Sequence, residues 1–260
     1  MVTDHGISRR AYLKVAGLVG GGLALAGCLG DDAETIVPGT ASGFPPFEFY
    51  EDDDDENLVG FDIDLAEAVI EEAGYEVGDW QDIEFDTLIT SLEQEEIDFI
   101  AAAMSITSER DESIDFTDPY YEADQAVLVR EGGDFQPESF GDMEDRRVAA
   151  QSGTTGESLV ESELIDAGLI DEDDYRALDN YTLAIEDLEN ESVDAVVVDL
   201  PVAQRFADSR DVEIAFIHET GEQFGFGMRE GDDRIEDMNE ALATLMDDGT
   251  FDDLVTDWFE

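Results

Sequence analysis

The stretch "SVDAVVVDLPVAQRFA" (Ser192 to Ala207) limits the possible folds more than any other part of the chain. Between Asp194 and Asp199 the residues are all small or β-branched and apolar, with no polar alternation. A strand with two apolar faces must be covered on both sides, as in a parallel sheet with helices packed above and below. Pro201 then stands where a helix tolerates proline, in its first turn. The scheme occurs twice. "LEQEEIDFIAAAMS" (Leu92 to Ser105) and "LENESVDAVVVDL" (Leu188 to Leu200) share a helix end, an acidic turn, an aspartate and an apolar strand. Two similar α/β units therefore follow from pattern alone, each with its functional loops at the C-terminal edge of the sheet.

The rest of the chain is consistent with this. "TIVPGTASGFPPFEFY" (Thr35 to Tyr50) predicts a strand, a Gly/Pro turn and a second strand, and the "EDDDDE" that follows is read as a solvated hairpin loop. From Asp62, the apolar residues Ile63, Leu65, Ala66, Val69, Ile70 and Ala73 recur at helical spacing, and Gly74 supplies a stop. A helix is expected over Asp86 to Glu95 and a buried strand over Asp98 to Ala103. Another helix is expected at "TSERDE", with Ser108 and Asp111 as its capping pair. Gln125 to Gly133 reads as a strand, "RRVAAQSGTTGESLVESELIDAG" as strand, loop and helix, and "VEIAFI" and "FGFGMRE" as two strands. Two helices close the chain.

Charge decides what this fold can meet. Of 260 residues, 70 are Asp or Glu and 12 are Lys or Arg, a net charge of −58. No basic face is available for phosphate, so a nucleic-acid partner is excluded. The acids are scattered and match no D-x-[DN]-x-[DN]-G calcium loop. Such a surface with a single lysine suits multimolar salt, where screening shortens repulsion to about 3 Å. The expectation is a protein of an extreme halophile, monomeric in solution.

The N-terminus reads as an address. "SRRAYLK" (Ser8 to Lys14) resembles a twin-arginine export signal, and the apolar run Val15 to Ala26 is too short to span a bilayer. "LAGC" ends it as a lipobox would, making Cys28 the lipid-bearing residue of the mature chain. This gives residues 1–27 as signal and 28–35 as a lipidated tether, with the protein held at the extracellular face of the cell membrane. Cys28 is the only cysteine, so disulfides and multi-cysteine metal sites are excluded. No cofactor or metal is expected.

Polar residues follow both apolar strands at once: Met104, Ser105 and then Arg110 after the first, Asp199 after the second. "QSGTTG" (Gln151 to Gly156) is a small-residue loop opening a helix, and "GFPPFEF" holds Phe44 at a rigid turn. These stretches, with "GFDIDLAEAV" (Gly60 to Val69), "SITSERDESIDFTDPYY" (Ser105 to Tyr121) and "DGTFDDLVTDWF" near the end, resemble the family 3 extracellular solute-binding proteins, the amino-acid receptors of ABC importers. The resemblance implies an α/β two-lobe periplasmic-binding-protein fold of type II, each lobe a mainly parallel sheet, joined by two crossovers. Residues 36–126 with 220–260 would form lobe I and 127–219 lobe II.

It also implies roles. Arg110 would pair the ligand α-carboxylate as a bidentate fork, which lysine cannot reproduce. Asp199 would meet the α-ammonium, and Ser105 and the backbone around Ala103 would add hydrogen bonds. Phe44 and Phe85 would sandwich the side chain, with Gln151, Thr154 and Thr155 contributing from lobe II. Taken singly, Arg110 among Glu109, Asp111 and Glu112 is a surface ion-pair residue and Asp199 a helix N-cap. Ala41 stands where relatives that hold cations carry an acid, so a neutral polar ligand such as glutamine is favoured over a basic one. The partners expected are an amino acid and the permease of an ABC importer. The rivals are an enzyme of the dehydratase type and a sensing module docked on a membrane protein. The chain has no G-x-S-x-G, P-loop or H-E-x-x-H motif.

Overall fold

The computed structural model describes residues 33–51 and 57–259. The export signal, Cys28, most of the tether and all but the first residue of the acidic loop lie outside the described residues. The first part of the chain runs β1 (Thr35–Ile36), β2 (Pro38–Thr40), β3 (Phe49–Tyr50), β4 (Leu58–Val59), α1 (Phe61–Glu72), β5 (Glu76–Val77), β6 (Gln81–Asp82), α2 (Leu88–Glu93), β7 (Phe99–Ile100), β8 (Ile114–Phe116) and β9 (Tyr121–Arg130). It continues through β10 (Val148–Gln151), α3 (Thr155–Leu159), β11 (Tyr175–Leu178), α4 (Tyr181–Glu189), β12 (Ala195–Asp199), α5 (Leu200–Ser209), β13 (Val212–Phe224), β14 (Gly227–Arg229), α6 (Arg234–Asp248) and α7 (Thr250–Phe259). Among the described residues no helix is long and apolar enough to cross a membrane.

Two five-stranded sheets carry the structure, ordered β6-β2-β7-β14-β8 and β11-β10-β12-β9-β13. Their layouts match. In each, three strands run parallel and the last two join antiparallel. The apolar run of β12 is buried along its whole length, as its sequence requires. The antiparallel partners were not legible, because a continuous apolar run such as Ala126 to Val129 reports burial and not direction. The regions expected as separate strands "VEIAFI" and "FGFGMRE" are bridged by structure. β13 continues for 13 residues, its polar half held by pairing with β9. Helix α1 packs its apolar stripe against α6 and α7, and Gly74 leaves it at φ 91°.

The two sequence echoes fold into one repeated device. Helices α2 and α4 each end on a glutamate in the left-handed region, Glu95 at φ 61° and Glu191 at φ 59°. An arginine then closes each helix end. Arg229 Nη1 donates to the carbonyls of Leu92 (3.3 Å) and Ile97 (2.7 Å), and Arg130 Nη1 to those of Leu188 (3.1 Å) and Val193 (2.9 Å). The following aspartate accepts a backbone N–H from the neighbouring strand, Val37 to Asp98 (3.1 Å) and Arg147 to Asp194 (3.0 Å). A guanidinium at a helix C-terminus satisfies carbonyls that have no intrahelical partner and lies at the negative end of the dipole. Salt screens bonds to carbonyls little, and the ion pair of Arg229 with Asp98 is already screened to a range of about 3 Å at one molar salt. Replacing Arg229 by Met is therefore expected to cost about 2 kcal/mol. Chemical denaturation at one and at four molar KCl checks this, with a similar loss expected at both.

Candidate ligand-binding site

The first half of the site is built at the end of β7. Ala103 adopts φ 45°, a conformation that costs an L-residue about 1–2 kcal/mol. Its N–H donates to Asp62 Oδ2 at 2.6 Å, and the Tyr120 hydroxyl donates to the same oxygen at 2.6 Å. Asp62 comes from the first turn of α1, so the "GFDID" segment fixes the backbone of a strand end distant in sequence. Ser105 follows, and then Arg110, which opens a single 3-10 turn (Arg110–Glu112) in place of the expected helix. The turn is closed by Thr107, whose Oγ1 accepts the Arg110 N–H, and not by Ser108, which is exposed. With Pro119 and β8 close behind, the chain has no room for a longer helix.

Arg110 does not behave as a surface ion-pair residue. Six of the nine arginines among the described residues pair with carboxylates: Arg130, Arg147, Arg176, Arg210, Arg229 and Arg234. Among the described residues Arg110 has no carboxylate within 4.0 Å, although Glu109, Asp111 and Glu112 flank it. Its Nη1 donates to the Ser105 carbonyl at 2.6 Å and its Nη2 to the Gly153 carbonyl at 2.9 Å. The guanidinium also stands 5.2 Å from the centre of the Phe85 ring. Gly153 has to be glycine here. Its φ is +75°, and a Cβ would fall 2.8 Å from that of Asp86.

The second half lies where β10 and β12 end. Gln151 closes β10, and Thr154 caps α3 by accepting the Glu157 N–H at 3.3 Å while donating to the Gln151 carbonyl at 2.7 Å. Thr155 Oγ1 donates across to Ser105 Oγ at 3.2 Å. Asp199 occupies the residue before α5, yet its side chain makes no capping bond and accepts from Gln125 Nε2 at 2.9 Å instead. The Phe44 ring, set by the turn after β2, lies 5.5 Å from that of Tyr181.

All nine residues anticipated from sequence line one pocket: Phe44, Phe85, Ala103, Ser105, Arg110, Gln151, Thr154, Thr155 and Asp199. Ala102 and Glu48 complete its wall. Glu48 was missed, as were Gln125 and Glu222 behind the wall. The available signal for Glu48 was an acid set between Phe47 and Phe49 in a stretch otherwise free of charge. Glu48 is 1% exposed and its Oε2 has no hydrogen-bond partner among the described residues. Burial, then the charges of Asp62, Asp82 and Asp199, push its carboxyl well above the usual range. Asp199 is likewise raised, by burial first and then by Glu222. The cavity thus sets one cation, Arg110, against two buried carboxyls. Among the described residues no cluster of three or more His, Cys, Asp or Glu is placed to hold a metal.

Burial pushes Asp62 up to about 7, against the downward pull of its Tyr120 and Ala103 bonds. An acid whose pKa is higher folded than unfolded gives stability at low pH that is lost as pH rises, here between about 4 and 7. Relative to an Asp62→Asn variant, the wild type should lose stability across that interval, by at most about 4 kcal/mol. Denaturation of both proteins at pH 4.5 and 7.5 in fixed KCl measures the difference.

Comparison with known proteins agrees with this geometry. The model of the bacterial extracellular solute-binding proteins, family 3, matches residues 36–260. The arginine-binding extracellular protein ArtP of Bacillus subtilis is 30% identical over 230 residues, covering 86% of each chain. A probable histidine-binding protein of Campylobacter jejuni is 32% identical over 225 residues, covering 85% of this chain and 83% of its own. Among solved structures, an ancestral arginine-binding protein bound to arginine superposes with a TM-score of 0.81 at 36% identity, covering 88% of this chain and all of the other. All three are binding proteins by name. The chain belongs to the family 3 extracellular solute-binding proteins.

Proposed function

We propose that this protein is the receptor of an ABC importer that captures an amino acid with a cationic side chain. The observation that carries the amino-acid reading is Arg110, a guanidinium bonded among the described residues only to carbonyls and lining the same pocket as the buried Asp199. An α-carboxylate supplies the missing anion at Arg110, and an α-ammonium supplies the cation for Asp199. Neither group can be replaced by solvent at similar strength once the cavity is shut. Ser105 and Thr155, and Arg110 and Gly153, meet only when the two halves close, so ligand binding favours the closed state.

The cationic side chain is read from Glu48. With both ends of the zwitterion paired, its buried carboxyl is the acid left over; a ligand cation would favour its ionised form, and its Oε2, unpartnered among the described residues, calls for a donor. Ala41 argued for a neutral ligand because it removes one acid from this end of the pocket. Glu48 supplies another. The names of the relatives, arginine-binding and histidine-binding, favour the same class and a receptor over a dehydratase. Export through the twin-arginine motif, lipid anchoring at Cys28, a monomeric state and adaptation to high salt remain part of this proposal, supported by "SRRAYLK", "LAGC" and the acid excess.

A thermal-shift screen of the twenty amino acids at multimolar KCl tests the reading. L-arginine or L-lysine should raise the unfolding temperature more than any neutral amino acid. Arg110→Ala should lose affinity about 10²-fold or more, because it leaves the ligand carboxylate buried without a partner. No shift with any amino acid contradicts the receptor reading. A larger shift with L-glutamine than with every cationic amino acid contradicts the role given to Glu48.

A further inference from the structure

Glu222 lies outside the cavity wall, yet it joins the two halves of the site. Its Oε2 accepts from Ser105 Oγ at 2.7 Å, and its Oε1 accepts from Gln125 Nε2 at 2.7 Å and from Thr220 Oγ1 at 3.1 Å. The same Gln125 nitrogen donates to Asp199. One unbroken chain of hydrogen bonds therefore runs from Thr155 through Ser105, Glu222 and Gln125 to Asp199.

The backbone is shaped to deliver this carboxylate. Strands β9 and β13 pair in register at Gln125 and His218, and again at Ala123 and Glu222, so β13 carries two more residues than β9 between those points. A bulge re-aims the side chains that follow it. This one is fixed by Gly221 at φ 61° and by Asp124 Oδ1, which accepts the N–H groups of Thr220 (3.0 Å) and Gly221 (3.1 Å).

Resting on the receptor reading above, we propose that Glu222 is the positioning residue of the α-ammonium subsite, holding Ser105 and Asp199 together in the closed protein through one carboxylate. The charged and titratable groups around it are Arg110, Asp199, Tyr181 and Asp124, with His218 opposite Gln125 in the strand register. Gln125 Nε2 serves two carboxylates, and the neighbouring Glu222 charge disfavours ionisation of Asp199. Burial and then Glu222 hold Asp199 well above its usual range. An arriving ammonium stabilises the Asp199 carboxylate as an anion and displaces the proton it retains.

The test is calorimetric titration of L-arginine in two buffers of different ionisation enthalpy, near pH 6.5, with the full chain in multimolar KCl. If a screen selects another amino acid, that one is the probe. Glu222→Gln keeps the volume but sets an amide N–H against donors from which the carboxylate accepts, Ser105 Oγ on one oxygen or Gln125 Nε2 and Thr220 Oγ1 on the other. It should weaken binding about tenfold, and fewer protons should leave per ligand bound, because Asp199 no longer faces a second carboxylate. Binding within twofold of wild type overturns the proposal, as does weaker binding with an unchanged proton count, which marks a purely structural role. If that variant does not fold, Asp124→Ala carries the test. It should weaken binding by releasing the bulge, Asp124→Asn should restore it, and equal binding by Asp124→Ala and wild type overturns the proposal. Failure of wild type to bind any amino acid removes this proposal and the receptor reading together, whereas wild-type binding that Glu222→Gln leaves unaltered removes this proposal alone.

Discussion

A guanidinium suspended between the carbonyls of Ser105 and Gly153 is the interaction on which the rest of the site depends. The two carbonyls belong to segments that follow β7 and β10, in different sheets. Carbonyl dipoles orient Arg110 without neutralising it, so the charge stays available to an anion in a space from which water is largely excluded. Phe85 covers one face of the group. In a chain so rich in carboxylates, an arginine that lines a pocket and is bonded to carbonyls is the arrangement that needs explaining. On the proposed reading, a ligand carboxylate is its partner.

The duplicated architecture places the opposite charge. Both sheets end their buried central strand at the cleft, β7 leading to Ala103, Ser105 and Arg110, and β12 to Asp199. Both brace that strand with an arginine on the preceding helix end, Arg229 in one and Arg130 in the other. The scaffold positions are thus rigid copies of one another, while the residues at the strand ends differ in charge. A zwitterion spanning the cavity matches that difference, and Glu48 extends the match to a third pole. The strands that connect the sheets carry Gln125 and Glu222, so the hinge is chemically continuous with the site.

What the sequence reveals and what it hides have a common cause. The runs around β7 and β12 were legible because burial on both faces leaves no polar alternation. The nine cavity residues were legible through the family resemblance; most also sit within a few positions of those strand ends or in the Gly-containing segments facing them, whereas Phe85, in "DIEFDTL", was marked by the resemblance alone. Ser108 was chosen as a cap by spacing, but Thr107 is the residue whose hydroxyl reaches the Arg110 N–H. Strand direction was hidden because hydropathy does not encode it. Glu222 was hidden because a bulge two residues long turns it inward, in a stretch whose composition, "HETGEQ", reads as exposed loop. Glu48 was overlooked because one acid among dozens looks like surface, and only its 1% exposure distinguishes it.

The central claim is that one ligand satisfies three charges at once: a carboxylate at Arg110, an ammonium at Asp199 and a side-chain cation at Glu48. A crystal structure grown from high salt with the tightest-binding amino acid tests it most directly. The account predicts two Arg110 nitrogens on the ligand carboxylate, Asp199 within hydrogen-bond distance of the α-amine, and a donor of the side chain on Glu48 Oε2. A ligand bound in the reverse orientation, or a side chain that leaves Glu48 without a partner, would contradict it.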